Sequence, residues 1–240
     1  MRVCVYQKRK WNVKHFIVFA LLISAVLLGI DYYRYSNYFK KTIVNVPYIS
    51  QKSVLATGCE LVSATMVMQF YGYDITVEDF VQNTPQSELK QTKSGLIGND
   101  PSKTFIGNPH SSNGFGCYAP VITSVMNSFF NNKSQKAVDV TGTNIENLLH
   151  TYVDNDSPVL IWATINMKEP QQGRSWMIED TGETFQWIAG EHCLVLVGYD
   201  HDLYYFNDPY GSNGIVGYDK DLVEERYQAL GLQAIAVTNL

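Results

Sequence analysis

Fifteen consecutive residues without a charge, Phe16 to Ile30 (FIVFALLISAVLLGI), constrain this chain more than any other feature. A run that apolar is stable in a bilayer or deep in a core, and its flanks decide between the two. Arg2, Lys8, Arg9, Lys10 and Lys14 precede it, and Asp31 with Tyr32, Tyr33 and Tyr35 follows. Cations on one side and aromatics on the other mark a membrane helix whose N-terminus stays in the cytoplasm. Fifteen helical residues reach about 22 Å against a bilayer core of roughly 30 Å, so the run also has the length of a signal-peptide apolar region. Leu27, Leu28 and Ile30 stand where a cleavage site needs small residues, which favours an uncleaved anchor. The expected organisation is a cytoplasmic basic tail over 1–15, a transmembrane signal anchor over 16–30, a linker over 31–42 and an extracytoplasmic catalytic domain over 43–240.

The part beyond the anchor suits a single domain. Apolar residues make up 45% of the chain and charged residues 17%, enough for a core and too little charge for disorder. A net charge of −5 leaves no broad basic surface, so nucleic acid is not an expected partner. Beyond the membrane lie Cys59, Cys117 and Cys193. An odd number of cysteines cannot all pair within one chain, and a free thiol in an oxidising compartment calls for a reason such as catalysis.

Helical periodicity comes first along this domain and strand character later. Gly58 to Tyr71 (GCELVSATMVMQFY) is the clearest helix, and Thr76 with Asp79 forms a near capping box for a second. Pro85 to Gly116 is polar and rich in Gly and Asn, and reads as a long, functional or mobile loop. Helices are expected from Tyr118 to Phe130 and from Thr143 to Asp154. Strands follow over Pro158–Ile165, a hairpin over Trp176–Trp187, then His192–Tyr199 and Leu203–Asn207, with a final helix from Asp219 and a final strand from Gln233. That order is an α+β pattern, a helical layer packed on an antiparallel sheet. Neither a phosphate-binding loop nor paired Cys or His spacing for zinc is present, and no cofactor or metal is expected.

Four residues carry the candidate chemistry. Cys59 follows Gly58 at the start of the strongest helix, where the helix dipole favours the thiolate. The same placement fits a small buried helix-start residue. His192 heads the apolar strand HCLVLVGY, a position from which a ring can face a cleft. With residue 201 centring the following turn, Asp208 is a diagonal neighbour of His192 on the same face and can fix its tautomer. A one-residue shift would bring Asn207 there instead, and Asp208 also suits a structural turn in DPYG. Gln51, in the loop leading to the helix, can donate to an oxyanion together with the Cys59 N–H, although taken alone it reads as a solvated loop residue. Cys117 also follows a Gly near a helix start, but Pro120 and the lack of a Gln-bearing preceding loop favour a packing role. Cys193 is expected to point away from His192 into the core.

The segments VPYISQ, GCELVSATMVMQFYG, HCLVLVGYD and NDPYG, in that order, resemble the double-glycine-peptidase-like cysteine peptidases of Gram-positive bacteria. These are relatives of the bacteriocin-processing peptidases and share the papain-like fold. GFGCYAPVI around Cys117 is similar to a recurring segment of the same subgroup. The resemblance implies Cys59 as nucleophile, His192 as base, Asp208 as orienting acid and Gln51 in the oxyanion hole. The bacteriocin-processing members are fused to a transporter that this chain does not carry, so the resemblance supplies a mechanism rather than a target. The expected substrate is a peptide or a cell-wall peptide stem. A catalytically silent binding module and a peptidoglycan amidase or endopeptidase are the competing expectations. The residues leave oligomeric state open.

Overall fold

The computed structural model describes residues 13–38, 41–42, 45–130, 135–211 and 214–239. The chain divides into two units, residues 1–40 and 41–240. The first unit is helix α1 (Val13–Tyr38). Its 26 residues correspond to about 39 Å at 1.5 Å per residue, enough to cross a bilayer. The helix runs on past the apolar stretch through Tyr38, into what the sequence assigns to a linker. Tyr and Asp at 31–33 are tolerated in a helix and nothing there removes a backbone donor from the ladder, whereas Pro would. Apolar side chains such as Phe16, Leu21 and Leu28 stay exposed along it, as a lipid-facing helix requires. The tail cations Arg2, Lys8, Arg9 and Lys10 lie outside the described residues.

The second unit opens with β1 (Lys41–Thr42), a 3-10 turn over Gln51–Ser53, and helices α2 (Cys59–Phe70) and α3 (Val77–Asn83). The capping box starting α3 is complete: Thr76 accepts from the Asp79 N–H and Asp79 accepts from the Thr76 N–H. Residues 85–116 are not an irregular loop. They hold β2 (Gln86–Ser87), β3 (Lys90–Thr92), β4 (Gly95–Gly98) and β5 (Phe105–Ile106). Then come α4 (Ala119–Phe129), β6 (Gln135–Asp139) and α5 (Ile145–Thr151). The strand-rich part contains β7 (Val159–Thr164), β8 (Gln171–Ile178), β9 (Thr184–Ala189), β10 (Glu191–Tyr199), β11 (Leu203–Asn207) and β12 (Ile215–Asp219). Helix α6 (Lys220–Ala229) and β13 (Ala234–Asn239) complete it.

The main sheet has the order β12-β11-β10-β7-β13-β6, with β1 paired to the far end of β10, and every pairing in it is antiparallel. Every residue of β7 is buried, as is β10 up to Gly198, which requires cover on both faces. Helices α2, α4 and α6 supply that cover. Leu61, Val62 and Met66 of α2 are fully buried, each worth about 1.5–3 kcal/mol of transfer free energy. A smaller sheet, β3-β4-β8-β9, carries a separate aromatic cluster of Trp176, Trp187, Phe115 and Phe185. The architecture is therefore α+β, with helices packed on an antiparallel sheet and one apolar N-terminal helix.

Candidate active site

The start of α2 meets the start of β10. Strand β11 pairs with β10 only from Val195 onward, so the β10 backbone at Cys193 faces no strand on that side. Helix α2 occupies the gap. The Cys193 N–H donates to Cys59 Sγ (3.2 Å) and the Cys193 carbonyl accepts from Ser63 Oγ (3.0 Å). One helical turn is thereby fastened to a strand edge through two otherwise orphaned backbone groups. The turn that leads in depends on Gly58, whose φ of +99° lies in the left-handed region. A side chain there would also press on Leu55 and Pro109, both 3.2 Å from a Cβ.

His192 is 1% exposed, and its Nε2 lies 2.7 Å from Asp208 Oδ1. An ionised carboxylate only accepts, so Nε2 carries the proton and Nδ1 presents a lone pair. That Nδ1 is buried without a partner. The Asp208 carboxylate also accepts from the Tyr210 N–H (2.9 Å) and the Tyr218 hydroxyl (2.7 Å). Burial pushes its carboxyl up, but the hydrogen bond and charge of His192, with Tyr218 and the Tyr210 N–H, outweigh burial and hold it below the usual range. Asn207 is occupied elsewhere, donating to the Val46 and Pro47 carbonyls. Of the two residues the turn register left open, the geometry brings Asp208 to the imidazole.

Gln51 is buried, not the solvated loop residue its local sequence suggests. Its N–H donates to the Pro209 carbonyl (2.8 Å), which ties the loop before α2 to the residue after Asp208. Its Oε1 is buried without a partner. Cys117 and Cys193 are fully buried, and all three described cysteines are free thiols.

Two residues escaped the sequence reading. Glu60 and Glu191 immediately neighbour Cys59 and His192, and both are buried. Glu60 Oε1 accepts from the Cys117 N–H (2.6 Å), and its Oε2 lies 3.4 Å from Cys59 Sγ. Glu191 Oε1 has no partner. One oxygen from each carboxyl and the Cys59 sulfur all fall within 4.8 Å of one another. Burial, then Glu60, raises the Glu191 carboxyl well above its ordinary value; burial also raises Glu60. Two carboxyls this close in a dry site are not both ionised. The available signal in sequence was a lone acid interrupting an apolar run beside each candidate catalytic residue. These acids also reverse the expectation for Cys59. Burial first, then Glu60 and Glu191, push its thiol well above the ordinary range, against the lowering expected from the helix N-terminus. That direction favours the neutral thiol over the thiolate at Cys59.

The whole of this region falls within a recognisable sequence pattern. The profile of the Peptidase_C39 like family matches residues 43–235. The uncharacterized protein YvpB of Bacillus subtilis strain 168 is 28% identical over 183 residues, covering 76% of this chain and 70% of YvpB. A crystal structure described as that of a C39-like peptidase from Bacillus anthracis is 26% identical, covers 84% of this chain and 98% of that one, and superposes with a TM-score of 0.74. The chain belongs to the Peptidase_C39 like family.

Proposed function

We propose that residues 43–240 are an extracytoplasmic cysteine peptidase, held at the membrane by α1, that hydrolyses peptide or amide bonds through Cys59, His192 and Asp208. One observation carries the reading. The Asp208 bond leaves a buried, unpartnered Nδ1 on His192, one residue before the N–H that holds Cys59 Sγ. In the mechanism that follows, the Cys59 thiol passes its proton to Nδ1 as the sulfur attacks a carbonyl carbon. In this reading the resting group is a thiol, so proton transfer accompanies attack and no stored ion pair is needed. Asp208 stabilises the imidazolium. The Cys59 N–H at the start of α2 and the Gln51 amide hold the oxyanion. His192 then protonates the leaving amine. Water, deprotonated by Nδ1, releases the acyl group from sulfur and regenerates the thiol.

The substrate class in this reading is a peptide or a cell-wall peptide stem at the outer membrane face. The burial of Cys59 favours one rival, a domain that binds such peptides without cutting them. Incubating the protein with purified cell wall and with a peptide library, followed by mass spectrometry of the soluble products, tests the proposal. New peptide termini are the expected result. Products released only between sugar and stem would identify an amidase, and retention of peptide without any new terminus would identify a binding module.

A further inference from the structure

The mechanism uses neither Glu60 nor Glu191, yet both place a carboxyl oxygen within 4.8 Å of the Cys59 sulfur. Their donor set with Cys59 is one thiol sulfur and two carboxyl oxygens, all within 4.8 Å. Zinc-type ions take such mixed sets, with bonds of about 2.0 Å to oxygen and about 2.3 Å to sulfur. Tetrahedral bonds of those lengths place neighbouring O and S ligands about 3.5 Å apart. Cys59 Sγ and Glu60 Oε2 are 3.4 Å apart.

Two independent features point to a ligand. Glu191 is more than nine-tenths buried, contributes an oxygen to the cluster and leaves Oε1 without a hydrogen bond, which a cation would satisfy. The space around the carboxyls is also kept open by Gly116. A Cβ there would lie 2.4 Å from Glu60 Oε1 and 3.1 Å from Glu191 Oε2. The Cys117 N–H on Glu60 Oε1 fixes that carboxyl from behind, as outer partners of metal ligands do.

We propose that Cys59, Glu60 and Glu191 form a binding site for a borderline divalent cation such as Zn2+, which withdraws the Cys59 sulfur from catalysis when it binds. The ion bonds to the thiolate and to both carboxylates, and the thiol proton and the proton held by the carboxyl pair leave to solvent. The fourth position is open to water. Inhibition as a consequence rests on Cys59 being the nucleophile; binding of the ion does not, so the two are tested separately.

The test uses the full chain in detergent, reduced and freed of reductant, titrated with Co2+ and Zn2+. One equivalent of Co2+ should give a sulfur-to-cobalt charge-transfer band. The band should vanish in Cys59→Ala and weaken in affinity at least tenfold in Glu191→Gln. It should change less than threefold in His192→Ala, which separates this site from a Cys–His one. X-ray absorption of the zinc-loaded wild type should show one sulfur with oxygen ligands, and needs no variant to fold. Absence of the band in wild type, its persistence in Cys59→Ala, or imidazole scattering in the zinc spectrum would overturn the site. Zinc binding without loss of hydrolysis would instead overturn the role of Cys59 as nucleophile.

Discussion

Replacing Cys59 with alanine should reduce peptide hydrolysis by at least about 10³-fold while leaving the fold intact. Neither Cys117 nor Cys193 should take its place. Cys193 lies on β10 with its side chain fully buried in the core, and Cys117 is likewise fully buried. Cys193→Ala keeps the backbone N–H that contacts Cys59 Sγ, so it should retain hydrolysis within a few fold. The structural loss in Cys59→Ala is one buried sulfur and the acceptor of the Cys193 N–H, about 1–3 kcal/mol, in a helix otherwise anchored by Leu61, Val62 and Met66. Melting temperature and hydrolysis measured on the same preparations check both halves. A variant that melts normally and still cuts would end the cysteine mechanism.

Asp208→Ala should strike both function and stability. His192 and Asp208 are each 1% exposed along their side chains, and removing one partner of such a pair leaves the other polar groups stranded. The Tyr218 hydroxyl and the Tyr210 N–H lose their acceptor together with His192 Nε2. The expected cost is about 3–5 kcal/mol, roughly 6–20 °C in Tm for a domain of this size. The rate should fall about 10²-fold or more, because the imidazole is no longer held in the tautomer that frees Nδ1. The pH dependence carries a definite sign. The native Asp208 carboxyl is held below its unfolded value, so its stabilisation is complete above the unfolded value and is lost as pH falls through the lower native one. Melting curves of wild type and Asp208→Ala should therefore differ most near neutral pH and converge in strongly acidic buffer. A gap that widens on acidification would contradict the assignment.

Much of this site was legible because it is built from local patterns. The run GCELVSATMVMQFY has a continuous apolar surface and a glycine at its head, and α2 starts at Cys59. Strand β11 spans Leu203–Asn207 as its alternation suggests. Near the site the β10–β11 pairing joins Val195 to Asn207 and Leu196 to Phe206, the register that puts Asp208 diagonal to His192. What was illegible depends on distant partners. Strand β3 is KQT, with no apolar alternation, and β4 finds part of its ladder in β8, some eighty residues away in sequence. Strands β6 and β12 lie at the two edges of the main sheet, where half-exposed residues blur the pattern. The burial of Gln51, Glu60 and Glu191 follows from loops and strands closing over them, which no local window contains. The same closure acts on Cys59: desolvation and two acids raise its thiol, where helix position alone suggests lowering.

The central claim is that a sulfur on α2 is activated by an imidazole on β10. The most direct measurement is the rate and site of modification by a thiol-directed peptide probe, mapped by mass spectrometry on folded wild type and His192→Ala. The account predicts an adduct on Cys59 alone among Cys59, Cys117 and Cys193, forming at least about tenfold more slowly without the imidazole. Modification of Cys59 at the same rate in both proteins, or modification of Cys117 or Cys193 in its place, would contradict it.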